Sequence, residues 1–154
     1  KAKDIGINPK VILAGRKIND SMGKYIFSEI KKISKKKKIN LKKSKVLILG
    51  FAFKENCEDI RNTKVIDIIN CFKYYHSKID IYDPLIDRDL LYRMYKLKKI
   101  KKLKKNFYDI VIYAVPHKNI QSLGVKKITQ CAKKDRVIYD VKNALPNYLT
   151  DGRL

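Results

Sequence analysis

Lys45-Val46-Leu47-Ile48-Leu49-Gly50 is an apolar run that ends on a glycine, and Val65-Ile66-Asp67-Ile68-Ile69-Asn70-Cys71-Phe72 follows it at helical spacing. An apolar run this short fits a parallel strand covered on both faces. The same alternation repeats downstream. Lys78-Ile79-Asp80-Ile81-Tyr82 alternates as a strand does, and Asp83-Pro84 stops it. Residues 87 to 95 have helical character, Asp109 to Val115 form another strand, residues 125 to 133 a short helix, and Arg136 to Asp140 a last strand. Repeated strand–helix units imply an α/β fold with a parallel sheet in three layers. Residues 96 to 106 are so rich in lysine that they read as a solvated loop around a short strand.

Upstream of this region the chain reads as one long helix of roughly 28 residues, well above the usual length in a small domain. Asn8 suits an N-cap and Pro9 a first helical position, where its missing N–H is no loss. Ile18, Met22, Ile26, Ile30 and Ile33 recur as a helical stripe with Tyr25 alongside, and Lys35 to Lys38 oppose the dipole at the far end. The stripe needs a partner, either a missing upstream part or another subunit. Ile39 to Ser44 form a polar linker, which divides the chain into residues 1–40 and 41–154.

The chain has 154 residues, 45% of them hydrophobic, and suits one ordinary globular domain. It begins at Lys1, and neither Met22 nor Met94 stands at a plausible start, so it is expected to be a piece of a longer protein. No apolar run approaches the roughly 18 residues of a membrane span, no segment has the layout of a secretory leader, and a cytoplasmic location is expected. Cys57, Cys71 and Cys131 are an odd set without CxxC spacing, and His76 and His117 lie apart from them. Neither a disulfide framework nor a metal site is expected. The formal charge of +22 would ordinarily suggest a polyanion partner. Yet only six of the 37 cations are arginines, and abundant Ile, Asn and Tyr with scarce Ala and Gly fit AT-rich coding instead.

Ligands in open α/β sheets bind at the carboxyl ends of the strands, which directs attention to Gly50 through Thr63. This loop has one glycine and is no GxGxxG. It carries Lys54 and Arg61 just before a helix start, where cations are unfavourable unless an anion sits among them. Two readings stay open here: a phosphate held by Lys54, Arg61 and free amides, or Arg61 paired with Glu58 or Asp59.

The run Ile48-Leu-Gly-Phe-Ala-Phe-Lys-Glu-Asn-Cys-Glu-Asp-Ile-Arg-Asn-Thr-Lys-Val-Ile-Asp-Ile-Ile69, followed by Ile81-Tyr-Asp-Pro84, resembles the C-terminal domain of the UDP-glucose/GDP-mannose dehydrogenase family. The loop wording is most similar to the branch that oxidises UDP-N-acetylhexosamines. Ile12-Leu-Ala-Gly-Arg-Lys-Ile-Asn-Asp-Ser-Met22 resembles the end of that family's central, helical dimerisation domain.

The resemblance implies a Rossmann-like three-layer domain preceded by a long dimerisation helix, a UDP-sugar as ligand, NAD as cofactor and a homodimer. It implies that Phe53 and Lys54 line the UDP-sugar pocket, that Lys142 in Asp140-Val141-Lys142 helps hold the substrate, and that Arg61 faces the NAD pyrophosphate. Core packing for Phe53 and a solvated lysine for Lys142 are the alternatives. Lysine at 142, where some relatives have arginine, forgoes bidentate geometry. The family's catalytic cysteine lies in a Gly-Gly-x-Cys-x-Pro-Lys-Asp-like motif that the sequence lacks, as it lacks the GxGxxG of the NAD site. Cys57, with Lys54 and Arg61 near it, leaves a reactive thiol open. Arg16 reads as a helix-surface or subunit-contact residue, and His117 as a loop residue rather than an acid–base catalyst. The implied whole is part of a nucleotide-sugar 6-dehydrogenase; the alternatives are a non-catalytic polyanion-binding module or a decayed remnant of the enzyme.

Overall fold

The computed structural model describes residues 10–154, so the expected cap at Asn8 and Pro9 lies outside the described residues. A long helix, α1 (Lys10–Lys36), leads into β1 (Lys45–Leu49), α2 (Val65–Tyr74), β2 (Lys78–Tyr82), α3 (Arg88–Tyr95) and β3 (Tyr108–Tyr113). Two short helices, α4 (Lys118–Gln121) and α5 (Val125–Thr129), precede β4 (Ala132–Asp140) and the brief β5 (Gly152–Arg153). The strands make one sheet in the order β2-β1-β3-β4-β5, every neighbouring pair parallel.

The apolar run of β1 explains the layers. Val46 and Ile48 face one side, where they join Ile26, Phe27 and Ile30 of α1, Ile68 and Ile69 of α2, and Leu91 of α3. Leu47 and Leu49 face the other side, with Ile120 of α4 and Ile128 of α5. All four strand side chains are fully buried, each burial being worth about 1.5–3 kcal/mol. Helices therefore cover both faces, as a near-continuous apolar strand demands.

The α1 stripe splits in two. From Gly23 onward the helix lies on the chain's own core: Phe27 meets Phe72 edge-on with centroids 4.9 Å apart, and Ile30 is fully buried. Residues Val11, Ile12 and Ile18 are 86%, 71% and 62% exposed. This corrects the expectation that the whole stripe needs a partner from outside, because α2 and the sheet cover its second half. Tyr25 also stays exposed, and Phe27 takes its place in the core.

Other differences lie at element boundaries. The helix expected over 125–133 stops at Thr129, because Ala132 already pairs with Tyr108 and opens β4. A register shift between Tyr108 and Ile110 lets the charged stretch Lys133 to Arg136 ride at the sheet's rim. The short strand expected within 96–106 reduces to one bridge, Lys99 with Ile81. Among the described residues, no helix is long and apolar enough to cross a membrane.

Candidate functional site

β1 and β3 end side by side, and the chain crosses itself closely there. Gly50 has φ of 82°, and a Cβ on it would stand 2.3 Å from the Val115 carbonyl oxygen. Only glycine tolerates both the left-handed backbone and that approach. Beyond this crossing a cleft of about 380 Å³ opens. Ala52, Phe53 and Lys54 form one wall, and Val141 and Lys142, just past β4, form another. The start of α2 contributes Thr63 and Lys64, and α1 closes the cleft with Asn19, Met22 and Gly23.

Buried carboxylates shape both loops. Asp83, 1% exposed at the end of β2, accepts the Phe51 and Ala52 amides on Oδ2 at 2.7 and 3.2 Å. Its other oxygen accepts the Leu85 amide, and His117 Nε2 lies 3.1 Å from Oδ2. Burial pushes the Asp83 carboxyl up, but the His117 bond and the Phe51 amide outweigh it, so the group sits below the usual carboxylate range. His117 Nδ1 in turn accepts the Asn56 amide at 2.8 Å. Asp140, fully buried at the end of β4, accepts the amides of Lys142 at 3.1 Å and Leu145 at 2.7 Å. Lys54 and Lys142 are thus each mounted on a loop whose backbone an interior carboxylate fixes.

Phe53, Lys54 and Lys142 all come together at the cleft. Phe53 is 48% exposed, which a core role would not allow. Lys54 Nζ lies 5.4 Å from the Phe53 ring centroid, so the aromatic and the cation form one unit. Arg61 does not line this cleft. Its guanidinium forks onto Asp59, with Nε and Nη2 each 2.9 Å from a carboxylate oxygen. The side-chain and backbone bonds from Arg61 hold the Asp59 carboxyl down at about 2. Of the two readings of Arg61, the local ion pair is the geometry adopted here.

Lys64 and Asn19 escaped the sequence reading as cleft residues. Lys64 caps α2 without a side-chain cap bond, and its charge at the helix's positive end is met by Asp20 of α1 at 2.6 Å. That bond raises Lys64 and lowers Asp20 from their ordinary values. Asn19 reaches the cleft only because α1 folds back on α2, a pairing with no local signature. Arg16 stays on the exposed helix surface, 3.9 Å from Asp20.

The thiols stand apart from any nucleophilic arrangement. Burial pushes Cys71 and Cys131 up, away from thiolate. Cys57 is half-buried and accepts the Asp59 amide on sulfur at 3.4 Å. Among the described residues, no group of three or more His, Cys, Asp or Glu side chains gathers as metal ligands would.

Comparison with known proteins bears on this arrangement. The model of the UDP-glucose/GDP-mannose dehydrogenase family, UDP binding domain, matches residues 47–147. The UDP-N-acetyl-D-glucosamine 6-dehydrogenase of Salmonella typhi is 43% identical over 154 residues, covering all of this chain and 36% of the relative. Its namesake in Pseudomonas aeruginosa is 37% identical, again over the whole chain and 36% of the relative. The chain thus spans about a third of the length of the curated relatives it matches. In structure it resembles the UDP-N-acetyl-mannosamine dehydrogenase Cap5O from Staphylococcus aureus, with a TM-score of 0.67, 25% identity, 92% of this chain and 32% of that one. A UDP-D-ManNAc dehydrogenase from Pyrococcus horikoshii shares the fold, with a TM-score of 0.79 at 18% identity over 99% of this chain and 35% of that one.

Proposed function

The chain belongs to the UDP-glucose/GDP-mannose dehydrogenase family, and on that premise we propose that it is the UDP-sugar-binding part of a nucleotide-sugar 6-dehydrogenase that oxidises a UDP-N-acetylhexosamine with NAD. The carrying observation is the convergence of Phe53, Lys54 and Lys142 on one cleft at the carboxyl edge of a parallel sheet. Two exposed ammonium groups on backbone-anchored loops suit a diphosphate, and an aromatic beside them suits a ring. The names of the relatives point to the N-acetylhexosamine class.

The glycine turn after β1 is not a dinucleotide cradle of the ordinary Rossmann kind. That loop has no GxGxxG, and the gap over Gly50 is filled by the Val115 carbonyl, which leaves no room there for a pyrophosphate against the backbone. Arg61 is the residue proposed to face the cofactor from this chain, and doing so requires it to leave Asp59. The helix α1, with its uncovered first half, is proposed as the end of the central domain of residues 1–40 and as a homodimer contact.

Calorimetric titration tests the reading. The chain should bind UDP, and uridine at least about tenfold more weakly, since charge-assisted contacts to phosphate contribute roughly 1.5–3 kcal/mol before exposure discounts them. Lys54→Ala and Lys142→Ala should each weaken UDP binding while Lys101→Ala does not. Equal affinities for UDP and uridine would refute the assignment of the cleft.

A further inference from the structure

We propose that His117 is a positioning residue for the cleft: a neutral imidazole, protonated on Nε2, that latches the loop bearing Phe53 and Lys54 to the buried Asp83. For its ligand the proposal rests on the reading of the cleft as a UDP site. The tautomer follows from elementary donor and acceptor counting. A backbone N–H can only donate, and the Asn56 amide lies 2.8 Å from Nδ1, so Nδ1 must present a lone pair. The ring proton is then on Nε2, directed at Asp83 Oδ2 at 3.1 Å.

The placement of this latch gives it a purpose beyond packing. Asp83 holds the loop at Phe51 and Ala52, on one side of Phe53 and Lys54. His117 holds it at Asn56, on the other side. Phe53 and Lys54 are themselves exposed and have little else to order them; the Phe53 amide bonds the Asp59 carbonyl within the same loop. Asn56 sits at φ of 57°, and its Oδ1 accepts the Lys118 amide at 2.8 Å, which ties the loop back to the start of α4. His117 is fully buried, so its two ring nitrogens rely on these two bonds.

The two nitrogens can be separated by substitution. In His117→Asn the amide oxygen falls near the Nδ1 position and can still accept from Asn56. In His117→Gln the amide nitrogen falls near Nε2 and can still donate to Asp83, but the Asn56 amide loses its acceptor. ¹⁵N NMR of the wild-type chain should give a pyridine-type Nδ1 and a pyrrole-type Nε2. Hydrogen exchange should find the Asn56 amide protected in the wild type and about tenfold less protected in His117→Gln, with His117→Asn recovering most of the protection. UDP affinity should follow the same order, about tenfold weaker for His117→Gln. A pyrrole-type Nδ1, or an Asn56 amide that exchanges freely in the wild type, would overturn the latch. So would equal losses in the two variants, which would mark a merely structural histidine. The tautomer and exchange readouts need no nucleotide, so they decide the matter even if UDP binding itself fails.

Discussion

Gly23 offers a direct test of how α1 is seated against the cleft. A Cβ added there would lie 2.5 Å from the Asp67 Cβ and 3.3 Å from the Ile68 backbone nitrogen, both on α2. Carbon atoms in contact prefer roughly 3.5–4.0 Å, so the two helices must part by about an ångström. Overpacking of this kind costs about 1–3 kcal/mol. Alanine in a helix interior recovers about 1 kcal/mol over glycine. Gly23→Ala should therefore destabilise the chain by about 0–2 kcal/mol, at about 2–4 °C of melting temperature per kcal/mol for a protein of this size. Among the described residues, no atom beyond the local helix backbone lies within 4 Å of a Cβ added at Gly15, on the same helix. Gly15→Ala should raise helicity in circular dichroism and leave the global melt almost unchanged, since no described atom outside the helix approaches that position. Because α1 is one wall of the cleft, Gly23→Ala should also weaken UDP binding. A Gly23→Ala chain about 1 kcal/mol more stable than wild type, the unopposed helix-propensity gain, would show that α1 does not lie on α2 in solution.

Three further outcomes are expected. Ile30→Ala, at a fully buried site, should cost about 2–5 kcal/mol in denaturant unfolding, while Ile18→Ala, 62% exposed, should stay within about 0.5 kcal/mol. The Asp83 carboxyl is depressed below its ordinary value of 3.8, so its contribution to stability is present above that pH and is lost as pH falls through the lower folded value; Asp83→Asn should flatten this acid limb of the stability–pH curve, and an unchanged limb would contradict the assignment. Heparin should bind the lysine-rich surface only at low salt, because exposed charges are screened beyond about 8 Å at physiological ionic strength, and a salt-resistant nucleic-acid complex would revive the polyanion reading.

Most of the sheet was legible because its strands are short apolar runs that nothing but a two-sided core would favour. Lys45 to Leu49 was legible for that reason, and Lys78 to Tyr82, an edge strand, by its alternation. The loop carrying Phe53 and Lys54 was legible as a resemblance, and its cleft residues do meet Lys142. What stayed hidden was non-local. His117 and Asp83 stand 34 positions apart, and neither has a neighbour that announces the pair. Gly23 reads locally as a weak point in a helix, and its use appears only when α2 is laid against it. β5 is two residues long, too short for any periodicity. The start of β4 was missed because Lys133 to Arg136 are charged and the register with β3 passes over them, Ala132 pairing with Tyr108 and Val137 with Ile110.

The cleft draws its walls from Asn19 and Met22, from Phe53 and Lys54, from Thr63 to Val65, from Val115 and from Lys142. No contiguous stretch of the chain contains a fragment that could bind by itself, so occupancy and global folding belong to a single equilibrium. A ligand at about 100 times its dissociation constant would add about 2.7 kcal/mol to the stability of the entire chain. Saturating nucleotide should therefore move the melting of α1, the sheet and the far helices together, and destabilising changes in the core should weaken binding without touching the cleft.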